Sequence, residues 1–295
     1  MTGYKNENLS IGLYEKALPE NLSWEERLIA VRDAGYSFME ISIDETDERI
    51  ERLKWDRAKK KNLREISENT GIPILTMCLS GNRRFPIGSS FGDIQKKGIE
   101  MITDAIWFAS HLGIRIVQVA GYDVVEGEKS TELSRETFGI NIRKSLNLAA
   151  SLGIMLAIEN VDCEFADSLD KIMSYIKDIN SPWLQIYADI GNLTAMNQDV
   201  GRQLQTCASH IAAIHVKDTL EGAVRHIPFG EGKVDFISAF KVLKNIGFNG
   251  PFLLEMWADD KKDNSAIIKN SREWIVAKLR QTSYFMVDDY SLITQ

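Results

Sequence analysis

The sequence predicts a single (β/α)8 barrel, an α/β fold of the TIM-barrel type, on three observations. Along its 295 residues, short runs of β-prone apolar residues alternate eight times with longer segments of helical periodicity. Several of the helical segments end at a glycine just before the next strand, as at Gly113 and Gly153, where glycine relieves the steric cost of a left-handed C-cap. The main rival is a doubly wound sheet, which usually carries a glycine-rich phosphate loop after its first strand, and Tyr14–Pro19 is not such a loop.

The predicted elements follow one another in strict alternation. The eight strands span Leu9–Tyr14, Ser37–Ile43, Ile74–Leu79, Ile114–Ala120, Ile154–Glu159, Leu184–Asp189, Ile211–Val216 and Phe252–Glu255. The eight helices span Trp24–Ala34, Arg57–Thr70, Ile94–Leu112, Thr131–Leu152, Leu169–Ile179, Val200–Ala208, Phe236–Ile246 and Ser265–Leu279. In the fourth helix, Phe138, Ile142, Leu146 and Ala149 recur every three or four positions, as one helix face requires.

The domain organisation follows from what the chain lacks between these elements. No Pro-, Ser- or Gly-rich linker divides it, so we expect one domain over residues 1–295, with a core at about 9–279 and a C-terminal extension at 280–295.

Met1–Asn8 is polar without a signal-peptide pattern, and no apolar run approaches the ~20 residues that span a bilayer. Three cysteines without short spacing argue against a disulfide framework, so we expect a cytoplasmic protein.

Composition narrows the classes of function. Hydrophobic residues make up 44% and charged residues 26%, which excludes collagen-like and disordered chains. The formal net charge of −7 argues against a broad basic surface for nucleic acid. Only four histidines are present, so any metal site must consist mostly of carboxylates.

Four late strands end in potential metal ligands, and these define the candidate site. Functional groups of such a barrel project from the C-terminal ends of its strands, where we find Glu159, Asp189, His215 and Glu255. Each emerges from an apolar, β-prone segment, in which an unpaired carboxylate would be costly to bury. Any one of them alone could form an ion pair or a buried hydrogen bond instead. Together they predict a site for one divalent cation, Zn²⁺, Mn²⁺, Mg²⁺ or Co²⁺, which mixed oxygen and nitrogen ligands suit.

Two glutamates beside a metal suggest a proton-transfer reaction. A cation chelated by a ketose carbonyl and the adjacent hydroxyl acidifies the C–H bond and stabilises the resulting enediolate. Removal of a proton on one face and its return on the other would give epimerisation. Transfer between neighbouring carbons would give aldose–ketose isomerisation, and the residues alone leave both reactions open.

Further polar residues are candidate contacts to a substrate or its phosphate. Arginine side chains and a Gly-Ser turn after the third strand suit a phosphate, although they could equally belong to a solvated loop. Lys217 follows His215 and could reach substrate or form a salt bridge with a barrel carboxylate. The full candidate set is Tyr14, Arg83, Arg84, Ser89, Lys217, Arg225 and His226.

Nine short segments carry a family resemblance that runs from about Leu9 to Ala277. They are Ile11–Pro19, Asp44–Asp47, Met77–Ser80, Arg83–Pro86, Ala120–Val124, Asp189–Leu193, His215–Thr219, Pro228–Gly232 and Leu254–Trp257. In this order they resemble the L-ribulose-5-phosphate 3-epimerase (L-xylulose-5-phosphate 3-epimerase) family of xylose-isomerase-like TIM barrels.

The resemblance implies a metal-dependent epimerase acting at carbon 3 of a pentulose 5-phosphate in bacterial L-ascorbate or related pentose catabolism. By position, it implies metal ligation by Glu159, Asp189, His215 and Glu255, with Glu159 and Glu255 as the acid/base pair. It implies a small sugar phosphate as partner and no nucleic acid or membrane; a homodimer is the commonest assembly for such a protein. Asn160–Phe165, beside the expected pocket, and the tail Tyr284–Gln295 depart from the family pattern.

Three alternatives accompany the epimerase hypothesis. A ketose or hexulose-phosphate isomerase could use the same barrel and the same ligands. A DNA-repair endonuclease would need several metals, many histidines and a basic groove, which four histidines and the acidic charge make improbable. A non-catalytic sugar-binding protein could also use this pocket.

Overall fold

The computed structural model describes residues 9–259 and 263–284, and eight of the strands close into a parallel barrel. The strands are β1 (Ile11–Tyr14), β2 (Phe38–Ser42), β3 (Ile74–Leu79), β4 (Ile116–Ala120), β5 (Met155–Glu159), β6 (Leu184–Asp189), β7 (Ile211–Val216), β8 (Asp218–Leu220), β9 (Ala223–Ile227) and β10 (Phe252–Leu254). Around the barrel their order is β1-β10-β7-β6-β5-β4-β3-β2, while β8 and β9 form a separate antiparallel hairpin. The predicted (β/α)8 barrel is confirmed.

Helices connect consecutive barrel strands. They are α1 (Trp24–Asp33), α2 (Asp47–Glu51), α3 (Arg57–Thr70), α4 (Gly92–Leu112), α5 (Glu132–Leu152), α6 (Leu169–Ile179), α7 (Ile190–Ala195), α8 (Val200–Thr206), α9 (Phe236–Asn245) and α10 (Asn264–Gln281). Short 3-10 turns occupy Glu15–Ala17, Arg52–Lys54, Ser80–Arg83 and Ala208–His210. The C-caps at Gly113 and Gly153 have φ of 78° and 67°, the left-handed conformation that the sequence predicted there.

The structure adds three elements that the hydrophobic pattern did not predict. Helices α2 and α7 have five and six residues, too short for a helical period to show in the sequence. The hairpin of β8 and β9 consists largely of half-buried and exposed residues, so its two strands lack the alternation of a packed sheet.

Apolar side chains fall into one large cluster and two small ones. The large cluster includes apolar residues from both the barrel strands and the surrounding helices. The small ones comprise Tyr14, Phe38, Cys78 and Leu253, and Ile116, Ala157, Tyr187 and Ala213. Because side chains alternate along a strand, residues two positions beyond several of these share the same face of the barrel wall. Glu40, Glu159, Asp189 and His215 stand in that relation to Phe38, Ala157, Tyr187 and Ala213.

Two predictions for the ends of the chain fall largely outside this description. Met1–Asn8 is outside the described residues, and of the expected extension at 280–295 only residues 280–284 are described, with α10 ending at Gln281. Within the described part of the chain, none of the helices combines the length and the apolar character needed to cross a membrane.

Candidate metal centre

The four predicted metal ligands lie together at the C-terminal end of the barrel. Glu159 and Asp189 are the last residues of β5 and β6, His215 is the penultimate residue of β7, and Glu255 directly follows β10. Each offers one ligand atom such that all four atoms lie within 4.8 Å of one another. The arrangement therefore has the size and the donor set of a site for a single divalent cation.

Strand register brings these residues together. Asp189 pairs directly with His215 across β6 and β7, and the Glu255 amide donates to the carbonyl of Val216 at 2.9 Å. The side chain of Asn160 holds the Asp189 backbone from both sides, accepting from its N–H at 2.8 Å and donating to its carbonyl at 2.9 Å. Three of the ligands thus lie within strands, and Glu255 is held at the end of β10 by its backbone bond to β7.

One buried lysine and one histidine lie against the carboxylates of the cluster. Lys217 Nζ lies 2.7 Å from Asp189 Oδ2 and 2.8 Å from Glu255 Oε2, and His215 Nδ1 lies 2.5 Å from Glu159 Oε1. Burial raises the pKa of Asp189 to about 7, against the opposing effect of Lys217. Burial also acts to raise the pKa of Glu255, but Lys217 and then His215 outweigh it and hold that pKa below its usual range.

One buried oxygen shows that the cluster fits a cation. Asp189 Oδ2 is fully buried and has no hydrogen-bond donor in acceptable geometry, although the Lys217 ammonium is close. A buried carboxylate oxygen without a donor is costly, and coordination to a metal ion removes that cost. The side-chain amide of Gln118 donates to Glu159 Oε2 on the side away from His215.

A further carboxylate that the sequence analysis missed lies on the other side of the histidine ring. Glu40, in the middle of β2, is fully buried and accepts from His215 Nε2 at 2.9 Å. The same signal that identified the four ligands, a carboxylate inside a β-prone apolar run, is present at Phe38–Ser42. It was overlooked because Glu40 does not stand at the end of its strand.

A cavity of about 220 Å³ opens above the cluster. Its volume lies just below the ~300–1,000 Å³ typical of sites for drug-sized ligands, so it suits a smaller molecule. Of the predicted substrate contacts, five line it: Tyr14, Arg83, Lys217, Arg225 and His226. Residues of its wall that sequence reasoning missed include Lys16, Tyr122 and Trp257.

Two predicted substrate contacts point elsewhere. Arg84 donates to Asp47 at 2.6 Å and to the Glu45 carbonyl at 3.0 Å, outside the cavity lining. Ser89 donates to Glu128 at 2.7 Å and also does not line the cavity. Consecutive residues of a tight turn point in different directions, so Arg83 and Arg84 diverge although they are neighbours in sequence.

The β8–β9 hairpin supplies one wall of the cavity. It carries Arg225 and His226, and the His226 ring lies 5.1 Å from that of Trp257. Asp218, at the start of the hairpin, accepts from the backbone amides of Gly230 and Gly232 at 2.8 and 3.0 Å. The glycine-containing segment at 229–232 is therefore tied to the base of the hairpin.

A buried arginine cluster supports the part of the cavity wall that follows β1. Glu15, directly after Tyr14, accepts from Arg49 and Arg52 at 2.8 Å each, and also from Arg27. Burial acts to raise the pKa of Glu15, but Arg52 and Arg49 outweigh it and hold that pKa below its usual range. This cluster fixes the backbone between two residues that line the cavity, Tyr14 and Lys16.

Comparison with known proteins matches nearly the whole chain. A family model described as "Xylose isomerase-like TIM barrel" matches residues 28–278. The chain is 41% identical over 274 residues to the L-ribulose-5-phosphate 3-epimerase UlaE of Escherichia coli O157:H7 (strain EC4115 / EHEC) and to that of Shigella sonnei (strain Ss046). Each alignment covers 93% of this chain and 96% of the relative.

Solved structures of similar fold include sugar epimerases. An L-ribulose 3-epimerase superposes with a TM-score of 0.76 at 20% identity, covering 94% of this chain and 96% of that one. A D-allulose 3-epimerase from Methylomonas sp. superposes with a TM-score of 0.76 at 17% identity, covering 92% and 98% of the two chains. At these identities the structural likeness shows the fold.

Proposed function

We propose that this chain is an isomerase, a sugar-phosphate 3-epimerase. It belongs to the xylose isomerase-like TIM barrel family and, within it, to the L-ribulose-5-phosphate 3-epimerases. Its reaction would interconvert L-ribulose 5-phosphate and L-xylulose 5-phosphate by inversion at carbon 3. The observation that carries the proposal is the pair Glu159 and Glu255, which border one cavity and share one cluster of metal ligands.

The metal centre is proposed to hold one divalent cation through Glu159, Asp189, His215 and Glu255. When bound, such a cation polarises the ketose carbonyl and stabilises the negative charge that develops beside it. Zn²⁺, Mn²⁺, Mg²⁺ and Co²⁺ all suit this donor set.

The two glutamates are proposed to move the proton. Glu159 ends β5, and Glu255 follows β10. Strands β6 and β7 lie between β5 and β10 in the barrel, so the two carboxylates approach a substrate from different directions. One carboxylate takes the proton from carbon 3 on one face, and the other, protonated, returns a proton to the opposite face. Lys217 donates to Glu255 at 2.8 Å, which favours the charged form that acts as the base.

The phosphate is proposed to bind between Arg83 and Arg225. The guanidinium of Arg83 lies over the Tyr122 ring at 5.2 Å and is 3.9 Å from Glu45, too far for a strong ion pair. Arg225 lines the same cavity as Arg83 and Tyr122, so both guanidinium groups can reach one bound phosphate. Guanidinium groups bind phosphate in a bidentate manner, and a net acidic protein can meet the phosphate with such a local pair. We leave Arg84 and Ser89 out of this subsite.

Isotope exchange tests the proposed reaction. The purified protein is incubated with L-ribulose 5-phosphate in deuterated water, with a divalent cation and, in parallel, with a chelator. We expect L-xylulose 5-phosphate labelled at carbon 3, and loss of the reaction in chelator. An aldose product labelled at carbon 2, with exchange at carbon 1 of the recovered ketose and none at carbon 3, would replace the epimerase with an aldose–ketose isomerase.

A further inference from the structure

Glu40 lies on the side of His215 that faces away from Glu159. Its Oε1 is 2.9 Å from His215 Nε2, whereas Nδ1 of the same ring is 2.5 Å from Glu159 Oε1. Both Glu40 and His215 are fully buried. One imidazole therefore links the cluster of metal ligands to a carboxylate that is not part of it.

The other oxygen of Glu40 is fully occupied. Glu40 Oε2 accepts from Thr76 Oγ1 at 2.7 Å and from the Tyr187 hydroxyl at 2.7 Å. Two hydroxyl donors on Oε2 fix the carboxylate plane, so Oε1 is directed to the histidine. The Tyr187 ring also lies 4.2 Å from the imidazole, centroid to centroid, and so limits its rotation.

This geometry determines which ring nitrogen carries a proton. An ionised carboxylate only accepts hydrogen bonds, so the bond to Glu40 requires a hydrogen on His215 Nε2. A histidine that binds a metal must present an unprotonated nitrogen to it. With Nε2 protonated, that nitrogen is Nδ1, which is the one directed toward the cluster.

We propose that Glu40 is a positioning residue that holds His215 as the Nε2–H tautomer and so keeps Nδ1 available for the cation. The inference rests on the proposed metal centre and extends it by a carboxylate that does not itself touch the cation or the substrate. Carboxylates that orient metal-binding histidines typically contribute on the order of 10–100-fold to metal affinity.

The first test compares two isosteric variants by cation titration. Glu40→Gln keeps the shape of the side chain but removes its charge and leaves one acceptor oxygen for three donors. Thr76→Val removes one hydroxyl from the same carboxylate and leaves the contact between Glu40 and His215 in place. Each variant is titrated with Mn²⁺ in calorimetry, and thermal unfolding in chelator checks that it is folded.

We expect Glu40→Gln to weaken Mn²⁺ binding on the order of 10–100-fold, and Thr76→Val by less than about threefold. Equal Mn²⁺ affinity for Glu40→Gln and the wild type would overturn the role of Glu40 while leaving the metal centre intact. Absence of Mn²⁺ binding by the wild type would instead remove the proposed metal centre, and the inference with it.

The second test does not depend on a variant that folds. In Zn²⁺-loaded protein with ¹⁵N-labelled histidine, ring N–H signals report the tautomer directly, and four histidines make assignment practical. We expect His215 to carry its proton on Nε2, with a strongly downfield resonance in the wild type. A proton on Nδ1 in the loaded wild type would overturn the proposal.

Discussion

The Lys217 ammonium lies 2.7 Å from Asp189 Oδ2 inside the barrel, where both side chains are buried. The same ammonium donates to Glu255 at 2.8 Å, so a single positive charge serves two carboxylates of the metal centre. Its role in the protein without a cation is therefore to offset carboxylate charge that is almost wholly buried.

Replacing this lysine should make folding depend on the cation. Lys217→Met leaves Asp189 and Glu255 without their buried partner, and breaking such a pair typically costs ~3–5 kcal/mol. We expect a clearly lower Tm in chelator and a larger rise on adding Mn²⁺ than in the wild type. Lys54→Met, which removes an exposed ion pair with Glu51, is the control and should change Tm little. Equal Tm values for Lys217→Met and wild type in chelator would contradict this role.

Substitution of the two glutamates proposed to be catalytic should reduce turnover far more than substrate binding. Glu159→Gln and Glu255→Gln each remove one proton-transfer group. We expect kcat to fall by about 10²–10⁴-fold, the range typical of general acid–base catalysis. Affinity for L-ribulose 5-phosphate, measured by calorimetry at saturating Mn²⁺, should fall much less. Glu20→Gln, at an exposed position near the cavity rim, should leave kcat unchanged. A non-catalytic sugar-binding protein would show no turnover in the wild type to lose.

Adjacent arginines provide a matched test of the phosphate subsite. Arg83→Met and Arg225→Met should each lower kcat/KM for L-ribulose 5-phosphate by about 10–100-fold, since a hydrogen bond to a charged group contributes ~1.5–3 kcal/mol. Activity on unphosphorylated L-ribulose should change little. Arg84→Met is the control, because that side chain bonds Asp47 outside the cavity. Equal losses for Arg83→Met and Arg84→Met would place the phosphate elsewhere.

Acid should weaken the fold through Glu15. Its pKa is lower in the folded chain than the ordinary value of ~4.3 in the unfolded chain, so its contribution to stability is full above about pH 4.3. As pH falls through the folded-state pKa, that contribution is lost. We expect Glu15→Gln to be less stable than wild type at pH 7, on the order of 3–5 kcal/mol, with the difference shrinking below about pH 4.

Urea unfolding at a series of pH values measures this difference. Glu20→Gln, whose side chain is exposed, serves as the control and should track the wild type across the range. A gap between Glu15→Gln and wild type that stays constant from pH 7 down to pH 3 would refute the assignment.

The sequence could predict which residues meet at the end of the barrel where a carboxylate closes an apolar strand. The carboxylates of Glu159 and Asp189 end apolar strands, and parallel strands bring such ends together whatever the side-chain details. Glu40 carries the same signal within β2, but its partner His215 lies 175 positions away, and nothing local indicates that contact. Arg83 and Arg84 differ only in the direction that a tight turn gives each side chain, and a linear pattern does not encode that direction.

The contact between Glu40 and His215 also has a consequence for the order of folding. It joins a strand near the start of the chain to one near its end, on opposite sides of the point where β1 meets β10. A nascent chain can pair β5, β6 and β7 before β10 has formed, yet it then lacks Glu255. In the proposed metal centre, the full set of four ligands is therefore assembled only with the final strand, so metal uptake would report barrel closure.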